Sequence, residues 1–221
     1  SSDLIGDIDT HDTLCRQLSD GSGAVVYSVN YAKAPEHQFP AAVDDALLAA
    51  RHVIRSHAQL GIDPARVGTG GDSAGGNLAT VVAQSLRGKL EHPLALQLLI
   101  YPVTDLRLST SSYQTYANGY GLTASAMRHF RDTYLRTPAD ITDTRASPLL
   151  AALNILRGRS TAMLAHPFNS SLGSGDTRYW QQWFWSPNLS AKGRCGNGDR
   201  QQLGHTPPPC HPLRITKPRP H

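Results

Sequence analysis

Hydrophobic positions along the first hundred residues alternate between strand and helix spacing. A β-branched run over residues 24–30 follows Gly21-Ser22-Gly23 and predicts a buried strand. Apolar residues at helical spacing over residues 41–60 predict a helix that ends at Gly61. Residues 94–101 are apolar on both faces, which is typical of a central strand in a parallel sheet.

Two further helices and one short strand complete this alternation. Residues 10–18 predict a short helix, residues 66–69 a strand weakened by glycine, and residues 78–86 another helix. Strand, helix, strand, helix, strand with connections of this length predicts a right-handed parallel α/β sheet.

A Gly-x-Ser-x-Gly pentapeptide lies between the short strand and the helix after it: Gly71-Asp72-Ser73-Ala74-Gly75. This spacing is that of a nucleophile elbow, in which a serine is exposed on a tight strand-to-helix turn. We expect a side chain at either flanking glycine to crowd the turn. The backbone N–H of Ala74 would point toward a developing oxyanion. By itself the pentapeptide is equally compatible with a glycine-rich surface turn, but its position between strand and helix favours Ser73 as a nucleophile.

Residues 109–136 interrupt the alternation with polar and aromatic sequence, and we expect them to form a cap segment with a helix over residues 124–135. The cap carries four aromatic side chains, at Tyr113, Tyr116, Tyr120 and Phe130. They could line a pocket for an acyl chain, but packing within the cap is the simpler interpretation. Residues 147–151 predict a loop that returns to the sheet.

After residue 152 the regular pattern fails. Only residues 160–165 could be a strand, and we expect little packed structure beyond about residue 170, because prolines at 207–209, 212, 218 and 220 disfavour regular elements. We therefore divide the chain into a partial α/β domain over residues 1–152 and an atypical basic tail over residues 153–221.

The formal net charge of +4 is unevenly distributed. Residues 1–150 hold 12 Lys or Arg and 15 Asp or Glu, whereas residues 151–221 hold 9 and 2. The tail also contains the aromatic cluster of Trp180, Trp183 and Trp185. Such a segment could stack nucleic-acid bases, but it resembles no binding module, so we expect no nucleic-acid partner.

The three cysteines, Cys15, Cys195 and Cys210, are an odd number without a Cys-x-x-Cys pair, so neither a zinc site nor a disulfide framework is predicted. Cys15 is most simply a small buried residue. No apolar run approaches the roughly 20 residues of a membrane span. The first residues do not form a signal peptide, and we expect a cytoplasmic location.

Six blocks from Leu4 to Ala151, in order, resemble the hormone-sensitive-lipase-like (family IV) branch of the α/β hydrolases, the carboxylesterases with a Gly-Asp-Ser-Ala-Gly-Gly elbow. The blocks are Gly6-Asp7-Ile8-Asp9-Thr10-His11-Asp12, residues 31–37, Phe39-Pro40-Ala41-Ala42 with Asp45, residues 71–77, Ile100-Tyr101-Pro102-Val103-Thr104-Asp105 and Ser147-Pro148-Leu149-Leu150-Ala151. The resemblance implies an incomplete α/β-hydrolase fold. It also implies a hydrolase of small carboxylic esters with short-to-medium acyl chains, which needs no cofactor or metal and forms an acyl-enzyme on Ser73.

The chain departs from this family at the remaining catalytic groups. Aligned on Gly6, the family's His-Gly-Gly-Gly oxyanion loop would begin before residue 1, and Ser1 and Ser2 would replace its last two glycines, with Asp3 where an aromatic residue belongs. We therefore expect a chain truncated at the N-terminus. Losing one oxyanion donor commonly lowers turnover by about 10²–10³-fold.

The family's acid and base blocks are also absent from the sequence after residue 152. Asp176 and His205 fit them by spacing only, and coincidence is the favoured interpretation. The abrupt change after Ala152 suggests translation in a shifted frame. The alternative to an esterase is therefore a non-catalytic or disrupted α/β-hydrolase fragment.

Other titratable residues are interpreted as structural. His11 and Asp12 lie at a helix start, where Asp favours the helix dipole. Glu36 and His37 lie in a loop between two prolines and predict a turn. Asp72 is expected to anchor the elbow rather than to transfer protons.

Overall fold

The computed structural model describes residues 8–151 in full, and the backbone alone of residues 161–164 and 211–213. The helices are α1 Ile8–Ser22, α2 Ala41–Arg55, α3 His57–Leu60, α4 Ser73–Leu86, α5 Ser111–Thr115 and α6 Ala124–Tyr134. The strands are β1 Tyr27–Val29, β2 Gly68–Asp72, β3 Leu96–Ile100, β4 Thr161–Leu164 and β5 His211–Leu213. Short 3-10 helices span Pro64–Arg66, Pro138–Thr142 and Pro148–Leu150. Among these described residues, no helix is long and apolar enough to cross a membrane.

Three strands form a parallel sheet in the order β2-β3-β4. Asp72 at the end of β2 pairs in register with Ile100 at the end of β3. Ile100 in turn pairs with Leu164 of β4. The strand predicted within residues 160–165 is therefore confirmed, and the carboxyl ends of all three strands lie at one edge of the sheet.

The first strand departs from the prediction of one continuous sheet. Within the described residues β1 pairs in parallel with β5, in a separate two-stranded sheet, and not with β2. Strands joined by a helical crossover need not be neighbours, so the alternation of elements could not settle this pairing.

The expectation that proline excludes regular structure is wrong at Pro212, which lies in the three-residue β5 opposite Ser28. A strand with one partner tolerates proline because its other edge needs no donor.

The helix predicted over residues 41–60 is broken at Ser56 into α2 and α3. Nδ1 of His57 lies 3.0 Å from the carbonyl oxygen of Ile54, and with the proton on Nδ1 it donates to that oxygen. The side chain thus lies against a backbone acceptor of α2 at the point where the two helices meet. Gly61 ends α3 with φ +65°, as predicted.

A hydrophobic core joins α2, α4 and the loop before α2. Its buried residues are Ala34, Phe39, Ala42, Val43, Leu78, Val81, Leu106, Tyr134, Leu135 and Ala146. The rings of Phe39 and Tyr134 meet edge to face at 5.8 Å between centroids. Asp45 accepts a hydrogen bond from the backbone of Ala32 at 2.9 Å and so fixes the loop to α2. Glu36 and His37 lie exposed in this loop, in the predicted turn.

The cap segment contains the predicted helix, α6, and one that the sequence did not predict, α5. A second hydrophobic cluster, the cap cluster, has Tyr113 and Met127 at its buried centre, with Val103, Leu108, Tyr116, Leu122 and Phe130 packed around them. Tyr120 is exposed and meets Tyr116 edge to face. Three of the four aromatic residues thus pack within the cap, as the simpler interpretation had it.

Candidate active site

Ser73 lies where β2 ends and α4 begins, in a left-handed backbone conformation with φ +50°. This region of φ is costly for a non-glycine residue, by about 1–3 kcal/mol, and persists only when the surroundings impose it. The predicted strand-to-helix turn is therefore present, and the helix begins at Ser73 itself. Such strain is typical of a nucleophile elbow.

Two glycines permit this turn, and only one of them is among the two that the sequence indicated. A Cβ on Gly71 would lie 2.3 Å from the carbonyl carbon of Gly75, and one on Gly76 would lie 2.8 Å from Cβ of Pro102. A Cβ on Gly75 would meet no described atom within 4 Å. The expectation that both glycines flanking Ser73 are sterically required is thus correct for Gly71 and wrong for Gly75. The close approach of α4 to the loop after β3 places the second requirement at Gly76.

Ala74 is buried at the second position of α4. The first amides of a helix have no acceptor within the helix and lie at the positive end of its dipole. The N–H of Ala74 therefore belongs to a group of donors suited to a developing negative charge beside Ser73.

A network of hydrogen bonds joins the elbow to the loop after β3. The carbonyl oxygen of Ser73 accepts a hydrogen bond from the backbone N–H of Val103 at 3.0 Å. The side-chain amide of Asn77 donates to the carbonyl oxygen of Val103 at 2.6 Å and to that of Ala146 at 2.8 Å. Asn77 is buried in α4, so both donors are used where water has little access. From the sequence, Asn77 is predicted only as part of a family block; its amide, on the buried face of a helix, is the feature that indicates this role.

A contact between a histidine and a carboxylate lies at the end of β2, beside the elbow. Nε2 of His11, in the first turn of α1, lies 3.4 Å from Oδ1 of Asp72, and both side chains are mostly buried. Asp12 instead binds Arg16 one turn along α1, at 2.6 Å. Burial and, secondarily, the negative charge of Asp72 raise the pKa of Tyr101, which follows β3. Asp72 thus contacts α1. Its predicted role as an anchor of the elbow is compatible with this contact.

A second carboxylate lies in the loop between β3 and the cap. Asp105 is buried and forms a two-pronged ion pair with Arg107, with its shortest contact at 2.6 Å. Burial alone would raise the pKa of Asp105, but the hydrogen bonds and charge of Arg107 outweigh it and hold that pKa below its usual value. Burial, helped by the charge of Asp105, raises the pKa of Tyr113 to about 12. The negative charge of Asp105 thus acts on Tyr113 of the cap.

Several predicted residues lie outside the described part of the chain: Ser1, Ser2, Asp3, Asp176, His205, Cys195, Cys210 and the three tryptophans. Cys15 is only partly buried in α1, not fully as expected. Within the described residues no three His, Cys, Asp or Glu side chains are grouped as metal ligands would be.

The comparison with protein families supports this geometry. A family model for the alpha/beta hydrolase fold matches residues 4–182. The chain belongs to the α/β-hydrolase fold family. The matched range includes β4, and it therefore extends past residue 152, where we predicted the family pattern to end.

Curated relatives of this α/β hydrolase include named esterases. It is 43% identical over 151 residues to ethyl acetate hydrolase of Pseudomonas putida, which covers 68% of this chain and 48% of that protein. It is 44% identical over 168 residues to the carboxylic ester hydrolase LipN of Mycobacterium tuberculosis, which covers 73% of this chain and 44% of that protein. The chain spans about half the length of the curated relatives it matches.

Solved structures give the same result. The thermostable carboxylesterase EstE1, from a metagenomic library, superimposes with a TM-score of 0.66 at 42% identity, over 68% of this chain and 52% of that one. An esterase of Pyrobaculum calidifontis superimposes with a TM-score of 0.69 at 40% identity, over 75% and 55%. The fold and the family are thus shown by sequence and by structure alike.

Proposed function

We propose that this chain belongs to a serine carboxylic-ester hydrolase in which Ser73 is the nucleophile. The observation that carries the proposal is the backbone of Ser73 at φ +50° between β2 and α4, on a turn that Gly71 makes sterically possible. Relatives named as carboxylic ester hydrolases at 43–44% identity support the same reaction class.

In this mechanism Oγ of Ser73 attacks the ester carbonyl carbon and forms a tetrahedral intermediate. Its negatively charged oxygen accepts a hydrogen bond from the N–H of Ala74. The bond from carbon to the alkoxy oxygen then breaks, the alcohol leaves with a proton, and an acyl-enzyme remains on Ser73. Attack by water on the acyl-enzyme releases the carboxylic acid and restores the hydroxyl.

A histidine must accept the proton of Ser73, and a carboxylate must orient that histidine. Asp176 and His205 fit these roles only by their spacing, and they stay predictions. His11 is not assigned as the base, because its Nε2 faces Asp72.

The substrate class that we infer is a small carboxylic ester with a short-to-medium acyl chain. We further propose that residues 109–136 form a cap over the site, within a partial hydrolase domain that includes β4. The cap cluster supports this, because it includes Val103, whose N–H binds the carbonyl oxygen of Ser73. A cytoplasmic location and the lack of a nucleic-acid partner remain predictions from the sequence.

Hydrolysis of p-nitrophenyl butyrate by the 221-residue chain tests the proposal. We expect turnover that Ser73→Ala abolishes and that Ser125→Ala, at an exposed serine of α6, leaves unchanged. A fluorophosphonate probe should label the wild-type chain on the peptide that contains Ser73. Equal background hydrolysis in all three chains, with no labelling, would instead support the non-catalytic α/β-hydrolase fragment.

A further inference from the structure

Tyr101 has a backbone conformation that a bulky residue rarely adopts. It lies directly after β3 with φ +37°, in the left-handed region that favours glycine. Residues held in such a conformation cluster at active sites and ligand-binding positions. Tyr101 is 40% exposed and belongs to neither the hydrophobic core nor the cap cluster. Packing within those clusters therefore does not account for a large aromatic side chain at this position.

The register of the sheet places Tyr101 beside Ser73. Asp72 and Ile100 form the last pair between β2 and β3, so Ser73 and Tyr101 are the residues that follow on the two strands. Neighbouring strands of a sheet lie about 4.8 Å apart. Two residues further on, the N–H of Val103 donates to the carbonyl oxygen of Ser73 at 3.0 Å, so the chain stays close to the elbow on both sides of this position. Tyr101 therefore lies next to the proposed nucleophile at the carboxyl edge of the sheet.

Strained backbone is concentrated at this edge. In the described part of the chain three non-glycine residues have positive φ: Ser73, Tyr101 and Leu108. Leu108 packs in the cap cluster, whereas Tyr101 is exposed beside Ser73. Ligands of α/β sheets bind at the carboxyl ends of the strands, which is where Tyr101 lies.

The phenol of Tyr101 is uncharged at neutral pH. Burial and, secondarily, the negative charge of Asp72 raise its pKa above the ordinary value of 10.0. A neutral aromatic ring offers an apolar surface, and substrate sites are lined mainly by such surfaces. The ring is therefore suited to contact the alkyl part of an ester whose carbonyl group lies at Ser73.

We propose that Tyr101 is a specificity-determining residue whose ring forms a wall of the substrate site beside Ser73 and limits the length of the alkyl group of the ester. This inference rests on the proposed function of Ser73. The alkyl group belongs to either the acyl side or the alcohol side of the ester, and both sides have the same chemistry at this wall. In this role Tyr101 touches the alkyl group and moves no proton.

Two series of esters test the wall in the full chain. The acyl group differs between p-nitrophenyl butyrate and p-nitrophenyl octanoate, and the alcohol differs between ethyl acetate and hexyl acetate. Tyr101→Ala should raise the ratio of kcat/KM for the longer ester to that for the shorter by about 10-fold or more in at least one series. One methylene in a hydrophobic pocket already changes kcat/KM by about 10–200-fold. The series that responds identifies the side of the ester, and unchanged ratios in both would overturn the proposal.

Three further variants separate the wall from other roles. Tyr101→Phe keeps the ring and should keep both ratios. Leu96→Ala is the matched control at the other end of β3, where an apolar residue of similar exposure, 43%, is truncated; it should change neither ratio. Tyr101→Gly suits the left-handed backbone, so it should fold at least as stably as wild type and should change the same ratio as Tyr101→Ala. An equal loss of turnover for all four esters in Tyr101→Ala and Tyr101→Gly would mean a merely structural role and would contradict the proposal.

Fluorine NMR separates failure of this proposal from failure of the proposed function. In the Ser73→Ala chain labelled with 3-fluorotyrosine, the Tyr101 signal is the one that Tyr101→Phe removes. Ethyl butyrate should shift this signal to saturation, and the other tyrosine signals measure any non-specific effect of the ester. If the wild-type chain shows neither turnover nor labelling by the probe, the proposed function fails, and this shift still decides the role of Tyr101. A Tyr101 signal that moves no more than the others would overturn the inference.

Discussion

The elbow and the cap both contact Val103. Each region is stabilised by a different kind of interaction. The elbow depends on single atoms: a missing Cβ at Gly71, a missing Cβ at Gly76, and two hydrogen bonds from Asn77. The cap depends on the area of the side chains that pack around Tyr113 and Met127. A contact between backbone atoms leaves no room for adjustment, whereas packed side chains can shift rotamers. The two regions should therefore differ in how sharply they respond to substitution.

The largest effect should come from Gly71→Ala. A Cβ placed 2.3 Å from the carbonyl carbon of Gly75 must displace backbone, so we expect a loss of about 3 kcal/mol or more in the free energy of unfolding. The matched control is Gly75→Ala, where the new Cβ meets no described atom within 4 Å. Urea denaturation of both variants measures the difference. Equal stability of the two variants would show that the backbone of the elbow can adjust to a new side chain as readily as the packed side chains of the cap.

Asn77→Ala should have the next largest effect, because it leaves the carbonyl oxygens of Val103 and Ala146 buried without this donor. Each unsatisfied buried group costs about 1–3 kcal/mol, so we expect a loss of about 3 kcal/mol in the free energy of unfolding. Thr80→Val is the control on the same helix, since among the described residues its hydroxyl binds the carbonyl oxygen of Gly76 within its own helix. Its loss should stay below about 1 kcal/mol. If denaturation shows similar losses for both variants, the network of Asn77 does not support the elbow specifically.

In the cap, Met127→Ala should remove about 2 kcal/mol, the lower end for truncating a buried methionine, because neighbouring side chains can partly fill the space. The control is Arg128→Ala, an exposed position on the same helix. Ester hydrolysis measured beside stability sharpens the comparison: we expect KM to change more than kcat. A larger fall in kcat than that of Asn77→Ala would mean that the cap, and not the polar network, positions Ser73.

The sequence predicted the elbow well because its requirements are local. Glycine spacing around Ser73, within a strand followed by a helix, predicts the turn itself, in which the close contact is between Gly71 and Gly75. The pairing of His11 with Asp72 could not be predicted in this way, because the two residues are far apart in sequence and each has an ordinary local role. Glycine at 76 was unremarked for the same reason, since its constraint comes from Pro102.

The fold shows the same division between local and distant information. The helix α6 and the strand β4 follow from hydrophobic spacing and from the composition of their own segments. The pairing of β1 with β5 joins residues about 180 positions apart, and no local pattern specifies such a partner. The helix α5 is only five residues long, which is too short for helical spacing of apolar residues to be recognised in the sequence.

The smallest effect concerns the pH dependence of the cap. The raised pKa of Tyr113, about 12 against an ordinary 10.0, means that the folded state favours the protonated phenol. That contribution is complete below pH 10 and is lost as the pH rises through 12, because the unfolded chain ionises first. At pH 11 wild type should have lost about 1 kcal/mol that Tyr113→Phe does not lose. The free energy of unfolding at pH 9 and pH 11 measures this difference, with Tyr120→Phe, at an exposed ring, as the control. A Tyr113→Phe chain that weakens as much as wild type would show that the cap does not exclude water from this phenol.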